Sequence, residues 1–157
     1  MANQIILNKI GATDPIFDIV APASCANGYF VALGTQGTDK TYASAAPAAV
    51  TSKSIVMVLA VPLSYGVEYT EDTFVIATGD IVRAYAPVVG RVVSIPVANV
   101  TATVALAVGK VVVPVAGAMK GECLAAPAGT EEVIYVIDEL FTKAGVAMVK
   151  LRCTKAY

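Results

Sequence analysis

The stretch "VAMVKLRCTK" (residues 146–155) carries the clearest alternation of apolar and polar residues in this sequence. Successive side chains of a β-strand point to opposite faces of its sheet. A strand over these residues places Val149, Leu151 and Cys153 together on one apolar face, with Cys153 as a thiol of the core. The stretch therefore predicts a strand that covers a hydrophobic core on one side only.

The opposite face of that strand carries Lys150, Arg152 and Thr154. We expect the two basic side chains to be solvated, and salt bridges to a neighbouring subunit are the alternative.

Short runs rich in Val, Ile, Tyr and Thr recur along the rest of the chain, and Gly, Pro, Asn and Asp separate them. This spacing is typical of an all-β protein. The predicted strands are 4–7, 16–21, 29–34, 54–60, 73–78, 81–86, 91–96, 110–115, 132–138 and 146–155. Helical periodicity is weak, and we expect at most one short helix, at 102–108 or 137–143.

Two of these runs, "SIVMVLA" (54–60) and "VVV" (111–113), scarcely alternate. Continuous apolar runs of this length are typical of strands that are covered on both faces. Many strands, few helices and covered faces together predict a closed β-barrel or a two-sheet β-sandwich with at most one or two short helices.

No part of the sequence resembles a linker between domains. A chain of 157 residues suits one domain with a core of its own. The stretches "YASAAPAAV" (42–50) and "LAAPAGTEE" (124–132) match no strand pattern, and we expect them to be loops laid against other surfaces. We predict a single β domain over 1–157, in which residues 1–15 form either an N-terminal arm or an ordinary first strand.

The composition is unusually apolar, with 57% hydrophobic and 15% charged residues, against about 45–50% and 25% in typical domains. A monomer with so little charge would expose apolar surface, so we expect part of that surface to be buried between subunits. The formal net charge of −1 provides no long-range attraction to nucleic acid or to an anionic membrane. We expect neither as a partner.

The uncharged stretch "VVSIPVANVTATVALAVG" (92–109) is nearly as long as a membrane-spanning helix. A spanning helix needs about 20 predominantly apolar residues, whereas this stretch contains Pro96, Asn99 and several hydroxyl groups among β-branched residues. We expect strands and a turn instead. The N-terminal stretch lacks a basic start and a long apolar run, which predicts no export signal and synthesis in the cytosol.

The residue types that most often perform catalysis or bind metals are scarce. The chain has no histidine, which removes the usual general base and metal ligand. Its three cysteines, Cys25, Cys123 and Cys153, are widely spaced and form no CxxC pair. We expect buried free thiols rather than a zinc site or a disulfide framework.

The Gly-Lys pair in "AVGKVVVPVAG" (107–117) raises the question of a phosphate-binding loop. Such a loop needs a glycine five residues before this pair's glycine and Ser or Thr after the lysine, but Val104 and Val111 occupy those positions. We predict a turn at Gly109 followed by a buried strand. Because Pro114 has no N–H to donate, it should mark a sheet edge or the end of the strand.

Three further patterns could carry chemistry. They are the Ser-Lys stretch "TSKS" (51–54), the carboxylates of "VEYTED" (67–72) and the pair Asp138 and Glu139. None has a partner at catalytic or calcium-loop spacing, and we expect the first two to be solvated turns. The seven tyrosines could stack on sugars or anchor protein interfaces. We predict no enzyme, no catalytic residue, no cofactor and no metal site.

Several segments follow one another in an order that extends over most of the chain. They are "MANQIILNKI" (1–10), "ANGYFVALG" (26–34), "TGDIVRAYAPVVGRVVSIP" (78–96), "LAVGKVVVPVAGAMKG" (106–121) and "VAMVKLRCTKAY" (146–157). This order resembles that of the small head decoration (cement) proteins of tailed bacteriophages. Major capsid and tail structural proteins are near neighbours of this resemblance, and its individual motifs are short and based on Gly and Val.

The resemblance implies a non-enzymatic, β-rich virion protein that is made in the cytoplasm of a host bacterium. It would lie on the outer surface of the capsid head, bind the major capsid protein and stabilise contacts between capsomers. It also implies self-association, as a homotrimer or as a dimer. No residue of such a family is catalytic, so the resemblance implies no catalytic site.

Two nearly uncharged segments are poorly explained as core, and we expect them to make the contacts with neighbouring subunits. An N-terminal arm can add a strand to the open sheet edge of a neighbour. The predicted interface residues are Asn3, Gln4, Ile5, Ile6 and Leu7 in the arm, and Ala45, Ala46, Pro47, Ala48 and Ala49 in the loop.

Other functions stay open at this point. The tyrosines and the β architecture would also suit a carbohydrate- or host-surface-binding module displayed on a virion. Another structural role in the virion, as a tail or baseplate subunit, fits the same composition. An enzyme that uses carboxylate or Ser-Lys chemistry is the remaining alternative.

Overall fold

The computed structural model of this protein describes residues 6–9, 15–60 and 75–157, the first of these ranges as backbone only. Within these ranges the chain is all-β, with one 3-10 helix, Val97–Asn99. The predicted fold class is confirmed. The strands are β1 Ile6–Lys9, β2 Ile16–Val20, β3 Phe30–Gln36, β4 Tyr42–Ala45, β5 Ile55–Val58, β6 Ile81–Tyr85, β7 Val92–Pro96, β8 Val100–Ala102, β9 Val111–Val115, β10 Ala118–Leu124, β11 Ile134–Lys143 and β12 Val146–Lys155.

The strands form two sheets. Five of them close into a small barrel in the order β2-β4-β3-β5-β6, and β6 pairs back to β2. The other seven form a sheet in the order β1-β7-β12-β11-β9-β10-β8. The fold thus combines a closed barrel with a second sheet packed against it.

The hairpin of β11 and β12 occupies the middle of the larger sheet. Val149, Leu151 and Cys153 are at most 1% exposed, whereas Arg152 and Thr154 are exposed. The alternation that predicted this strand is confirmed, and β12 covers the predicted residues 146–155 without a change of boundary.

The basic side chains of β12 pair with acids on β11. Arg152 donates two hydrogen bonds to the Asp138 carboxylate, at 2.9 and 3.0 Å. Lys150 donates one to Glu139 at 3.2 Å. Both pairs are partly exposed, and in each the two charges lie within one hairpin.

Strand β5 is covered on both faces, as predicted for 54–60, and so is the start of β3. Phe30, Ile55 and Met57 point away from the barrel and pack into a core shared with the larger sheet. Val31, Val56 and Val58 point into the barrel and form its separate core. All four side chains of β5 are at most 1% exposed, since each face of the strand meets a different core.

Phe30 is the aromatic contact that joins the two sheets. Its ring lies 6.0 Å from that of Tyr135 on β11, measured between centroids. It also covers Gly121 on β10, where an added Cβ would lie 2.6 Å from Cε2 of Phe30. Glycine at 121 therefore permits the barrel to approach the sheet closely.

A buried polar connection supports the same junction. The Asn27 side chain donates to the carbonyl of Ala60 at 2.8 Å and accepts from its N–H at 2.7 Å. The Asn99 side chain donates to the carbonyl of Asn27 at 2.9 Å. Because Ala60 follows β5 and Asn99 ends the 3-10 helix after β7, these bonds join the barrel to the larger sheet.

The sequence allowed at most one short helix, at 102–108 or 137–143, and neither range is helical. Residues 137–143 extend β11 by five residues beyond its predicted end at 138. Residues 103–109 are bends, turns and irregular chain, and β8 ends at 102. The cross-strand partners that β12 provides in this hairpin override the weak local helical tendency of 137–143.

Three strands were not predicted. β4 occupies the start of the stretch 42–50, β8 follows the 3-10 helix, and β10 lies between the predicted strands 110–115 and 132–138. The predicted strand 73–78 lies partly outside the described residues, and Ile76 forms only an isolated bridge to Cys25.

The prediction of a turn at Gly109 followed by a buried strand is confirmed. Gly109 has φ +85°, which favours glycine, and Val111, Val112 and Val113 are at most 5% exposed. Pro114 is the second-last residue of β9. It lies beyond the pairing with β11, which stops at Val112, as its missing N–H requires.

We predict that Gly121→Ala destabilises the fold by about 1–3 kcal/mol, because the new methyl group displaces the Phe30 ring. Chemical denaturation of the variant measures this cost. In a Phe30→Leu background the same substitution should cost markedly less, since the clashing ring atoms are gone. An equal cost in both backgrounds would contradict the proposed contact.

Candidate interaction surfaces

The N-terminal segment is partly described. The main chain of Ile6 and Leu7 pairs with Ser94 and Val93 of β7 at one edge of the larger sheet. The segment is therefore the first strand of its own sheet, which was the alternative to a free arm. Asn3, Gln4 and Ile5 lie outside the described residues, and a contact role for the segment stays a prediction.

The loop that follows β4 packs on its own chain. Pro47 is buried, and its carbonyl accepts a hydrogen bond from the N–H of Gly117 at 2.7 Å. The carbonyl of Val50 accepts one from Glu132 at 3.1 Å. These bonds attach the loop to the β9–β10 turn and to the loop before β11.

The predicted contact residues of this loop therefore differ in exposure. Ala45, Ala48 and Ala49 are exposed, Ala46 is half-buried, and Pro47 is buried. Sequence reasoning placed all five on a contact surface. The structure leaves only the alanines accessible, because Pro47 is buried.

The Ser-Lys stretch and the carboxylates form no catalytic arrangement in the described part of the chain. The hydroxyls of Ser52 and Ser54 lie 2.9 Å apart and bond to each other, and Lys53 is exposed. The predicted group of Glu68, Glu71 and Asp72 falls outside the described residues. Among the residues described, no three His, Cys, Asp or Glu side chains lie close enough to hold a metal ion.

The three cysteines are buried free thiols, as predicted. Burial raises the pKa of Cys25 to about 11, and the nearby Asp80 carboxylate adds to this shift. Burial also raises the pKa of Cys153 to about 11 and that of Cys123 above its ordinary value. Such thiols are protonated at neutral pH and are poor nucleophiles.

Glu131 is a buried acid that closes the loop before β11. It is 3% exposed, and its carboxylate accepts hydrogen bonds from the N–H groups of Ala128 at 3.0 Å and Gly129 at 2.9 Å. Burial alone would raise the pKa of this carboxyl. The backbone hydrogen bonds and the positive charge of Lys155 outweigh burial, and the pKa lies below its ordinary value.

The described tyrosines form no exposed cluster. Tyr85 and Tyr135 are buried between the two sheets, and Tyr29 and Tyr42 are half-buried against the barrel core. Tyr157 is partly exposed and donates its hydroxyl hydrogen to a main-chain carbonyl of β5 at 3.0 Å. The sugar-stacking surface considered from composition has no counterpart among these five side chains.

Exposed apolar residues lie instead on turns and at the ends of strands. Ile81, Val89 and Val108 are 61%, 62% and 66% exposed. An open apolar hollow of about 450 Å³ lies at the far end of the β11–β12 hairpin. Sequence reasoning missed this hollow. It predicted a strand that ends at 138 and allowed a short helix at 137–143, whereas Leu140 lies within β11 and lines the hollow. The absence of charge over 92–109 was the available signal.

Comparisons with known proteins identify no family. No family model matches the sequence, and no curated protein matches it either. Within the described residues, no helix is long and apolar enough to cross a membrane.

We predict that the three thiols react with Ellman's reagent at pH 8 only after unfolding. At a pKa of about 11, roughly 0.1% of Cys25 and Cys153 is thiolate at that pH, and burial excludes the reagent. Absorbance at 412 nm in native buffer and in guanidinium chloride measures the difference. Rapid release of thionitrobenzoate from the native protein would contradict this prediction.

We predict that Glu131 makes the fold sensitive to acid. Because its pKa is lower in the folded chain than in the unfolded chain, its contribution is present above the ordinary glutamate pKa and is lost as pH falls through the folded value. Glu131→Gln should cost about 1–2 kcal/mol at pH 7, and less as the pH falls below about 4.

Glu132→Gln is the matched control for this prediction. Its carboxylate lies 4.0 Å from Lys155 and should contribute far less. Denaturation at pH 3 to 7 measures both variants. A cost for Glu131→Gln that does not vary with pH would contradict the assignment.

Proposed function

We propose that this protein is a non-enzymatic structural component of a phage virion, which binds the outer surface of the capsid head and stabilises contacts between capsomers. The order of its segments resembles that of head decoration proteins, and this resemblance supplies the link to capsids. Its partners would be the major capsid protein and further copies of itself.

The observation that carries the proposal is the placement of the exposed apolar residues. Val89 and Val108 are more than 60% exposed, yet their turns are held by backbone bonds from Gly90 to Cys153 at 2.9 Å and from Gly109 to Ile137 at 2.8 Å. A rigid apolar turn loses little entropy when it binds. Such turns on a β framework suit a protein that docks on other protein surfaces.

The mechanism requires no chemistry. A stable protein interface buries about 1,200–2,000 Å² of surface. A protein that binds only the assembled lattice stabilises that lattice by mass action. Since a head carries many equivalent sites, a modest gain at each site adds up over the shell.

The direct test is reconstitution. Purified protein is mixed with expanded heads assembled from the major capsid protein of the same genome. We expect the protein to sediment with the heads and to raise their melting temperature. Failure to bind any expanded head would overturn the proposed function.

The exposed alanines of the loop after β4 provide a sharper prediction. A double substitution, Ala48→Glu with Ala49→Glu, places two charges on the predicted contact surface and should weaken head binding by on the order of 100-fold. The control is Ala126→Glu, another exposed loop alanine, which should bind normally. Cosedimentation over a concentration series measures both, and equal binding by all three proteins would exclude this loop from the contact.

A further inference from the structure

The turn before β3 contains the only Asn-Gly pair of the sequence, Asn27-Gly28. In a flexible chain, asparagine deamidates more readily before glycine than before other residues. The glycine has no side chain to hinder its own main-chain nitrogen as that nitrogen approaches the asparagine side chain. The pair is therefore a reactive point whose chemistry the proposed function does not use.

The fold holds both reacting groups in buried hydrogen bonds. The N–H of Gly28 donates to the carbonyl of Val58 at 2.8 Å. The side-chain NH2 of Asn27 donates to the carbonyl of Ala60, also at 2.8 Å, and Asn27 is 0% exposed. Deamidation removes the hydrogen from the Gly28 nitrogen and expels the Asn27 NH2 group. It therefore breaks both bonds and takes these donors away from two buried carbonyls, which is costly.

The same fold requires both residues of the pair. Gly28 has φ +90°, and an added Cβ at this position would collide with Cδ1 of Ile95 on β7. The Asn27 side chain both donates to Ala60 and accepts from its N–H, at 2.8 and 2.7 Å. An ionised aspartate has no donor for this position. A less reactive pair would therefore weaken the junction between the barrel and the larger sheet.

We propose that Asn27-Gly28 is a deamidation site that only the folded chain protects. A chain that stays unfolded loses its Asn27 amide to water, and the product no longer folds. The site thus sets a time limit on folding, because chains that fold keep the amide and chains that stay unfolded lose the ability to fold.

The reaction needs only water. A solvent base takes the proton of the Gly28 nitrogen, and that nitrogen forms a bond to Cγ of Asn27. The bond from Cγ to Nδ2 breaks, and ammonia leaves with a proton from water. Water then opens the resulting succinimide ring by breaking one of the two bonds to the Gly28 nitrogen. Breaking the new bond to Cγ gives aspartate, and breaking the original main-chain bond gives isoaspartate. Nothing is oxidised or reduced.

Each product places a charge where the fold requires a neutral group. In the aspartate product, a carboxylate faces the carbonyl of Ala60 in place of the NH2 donor. In the isoaspartate product, the main-chain carbonyl of Asn27 becomes a carboxylate, and the main chain gains a methylene group. In the intact fold this carbonyl accepts a hydrogen bond from the Asn99 side chain at 2.9 Å. An uncompensated charge at such a buried position strongly disfavours the fold.

The rate of deamidation in native buffer reports how often the junction opens. The pair bonds to Val58 and Ala60, between the two sheets, so it becomes free only when this junction opens. The native rate then equals the unfolded-chain rate multiplied by the small fraction of open chains. With folding equilibrium constants of about 1,000 or more, we expect the native chain to deamidate at least about 100-fold more slowly than the unfolded chain.

The experiment ages the purified, reduced chain at pH 8 in native buffer and in guanidinium chloride, with ionic strength matched by sodium chloride. A third sample is unfolded in guanidinium chloride at pH 5, where the Gly28 nitrogen rarely gives up its proton. Peptide mapping by mass spectrometry measures deamidation at each asparagine and identifies isoaspartate. Each sample is then diluted into native buffer, and ion exchange with circular dichroism measures the folded fraction of intact and deamidated chains.

We expect Asn27 to be the first asparagine to react in the unfolded sample at pH 8, and to stay intact in the native sample over the same time. The intact chains of the pH 8 sample and the whole pH 5 sample should refold, which controls for damage by ageing. The deamidated chains should not refold. Asn27→Asp reproduces one product directly and should lose most of its folded population at pH 7.

Three results would overturn the inference. A native rate at Asn27 within about tenfold of the unfolded rate would show that the fold provides no protection. Faster reaction at another asparagine would exclude Asn27-Gly28 as the reactive site. A deamidated chain, or Asn27→Asp, that refolds with the denaturation midpoint of the intact chain would contradict the consequence for folding. None of these results depends on binding to heads, so this inference and the proposed function fail separately.

Discussion

The fold depends on two strands that serve two cores at once. β3 and β5 send alternate side chains into the barrel and towards the larger sheet. A strand has only two faces, and here neither can be exposed without opening a core. The barrel and the larger sheet are therefore stabilised by the same two strands, and neither sheet can move relative to the other without disturbing Phe30 and Gly121 beneath it.

This constraint also determines the character of the surface. The hydrogen bonds at the strand ends hold several turns in fixed positions, and two of those turns carry valines that are more than 60% exposed. The charges near the hairpin are paired across β11 and β12. The described surface thus offers a partner exposed apolar side chains on turns that hydrogen bonds hold in place, and this is the basis of the proposed function.

Much of the fold could be predicted from local pattern. The alternation of 146–155 predicted β12 and the one face that it buries. The continuous apolar run of 54–60 predicted β5 and its burial on both faces. Two of the three strands that were missed have a physical reason. β4 and β10 contain small residues, and partner strands stabilise them: β4 pairs with β2 and β3, and β10 pairs with β8 and β9. The hollow lies between the end of the β11–β12 hairpin and residues 97 and 106. It depends on how β11 pairs with β12 and β9, and this pairing cannot be predicted from the sequence of one strand alone.

The central claim is that the two sheets form one cooperative unit, and native-state hydrogen exchange tests it most directly. The N–H of Val58 bonds to Tyr29 in the barrel at 2.8 Å, and that of Ile137 bonds to Lys110 in the larger sheet at 2.8 Å. The account predicts that both amides exchange only through global unfolding, with the same free energy of opening as chemical denaturation gives. A barrel amide that opens at a free energy lower by more than roughly 1 kcal/mol than the sheet amide would contradict it.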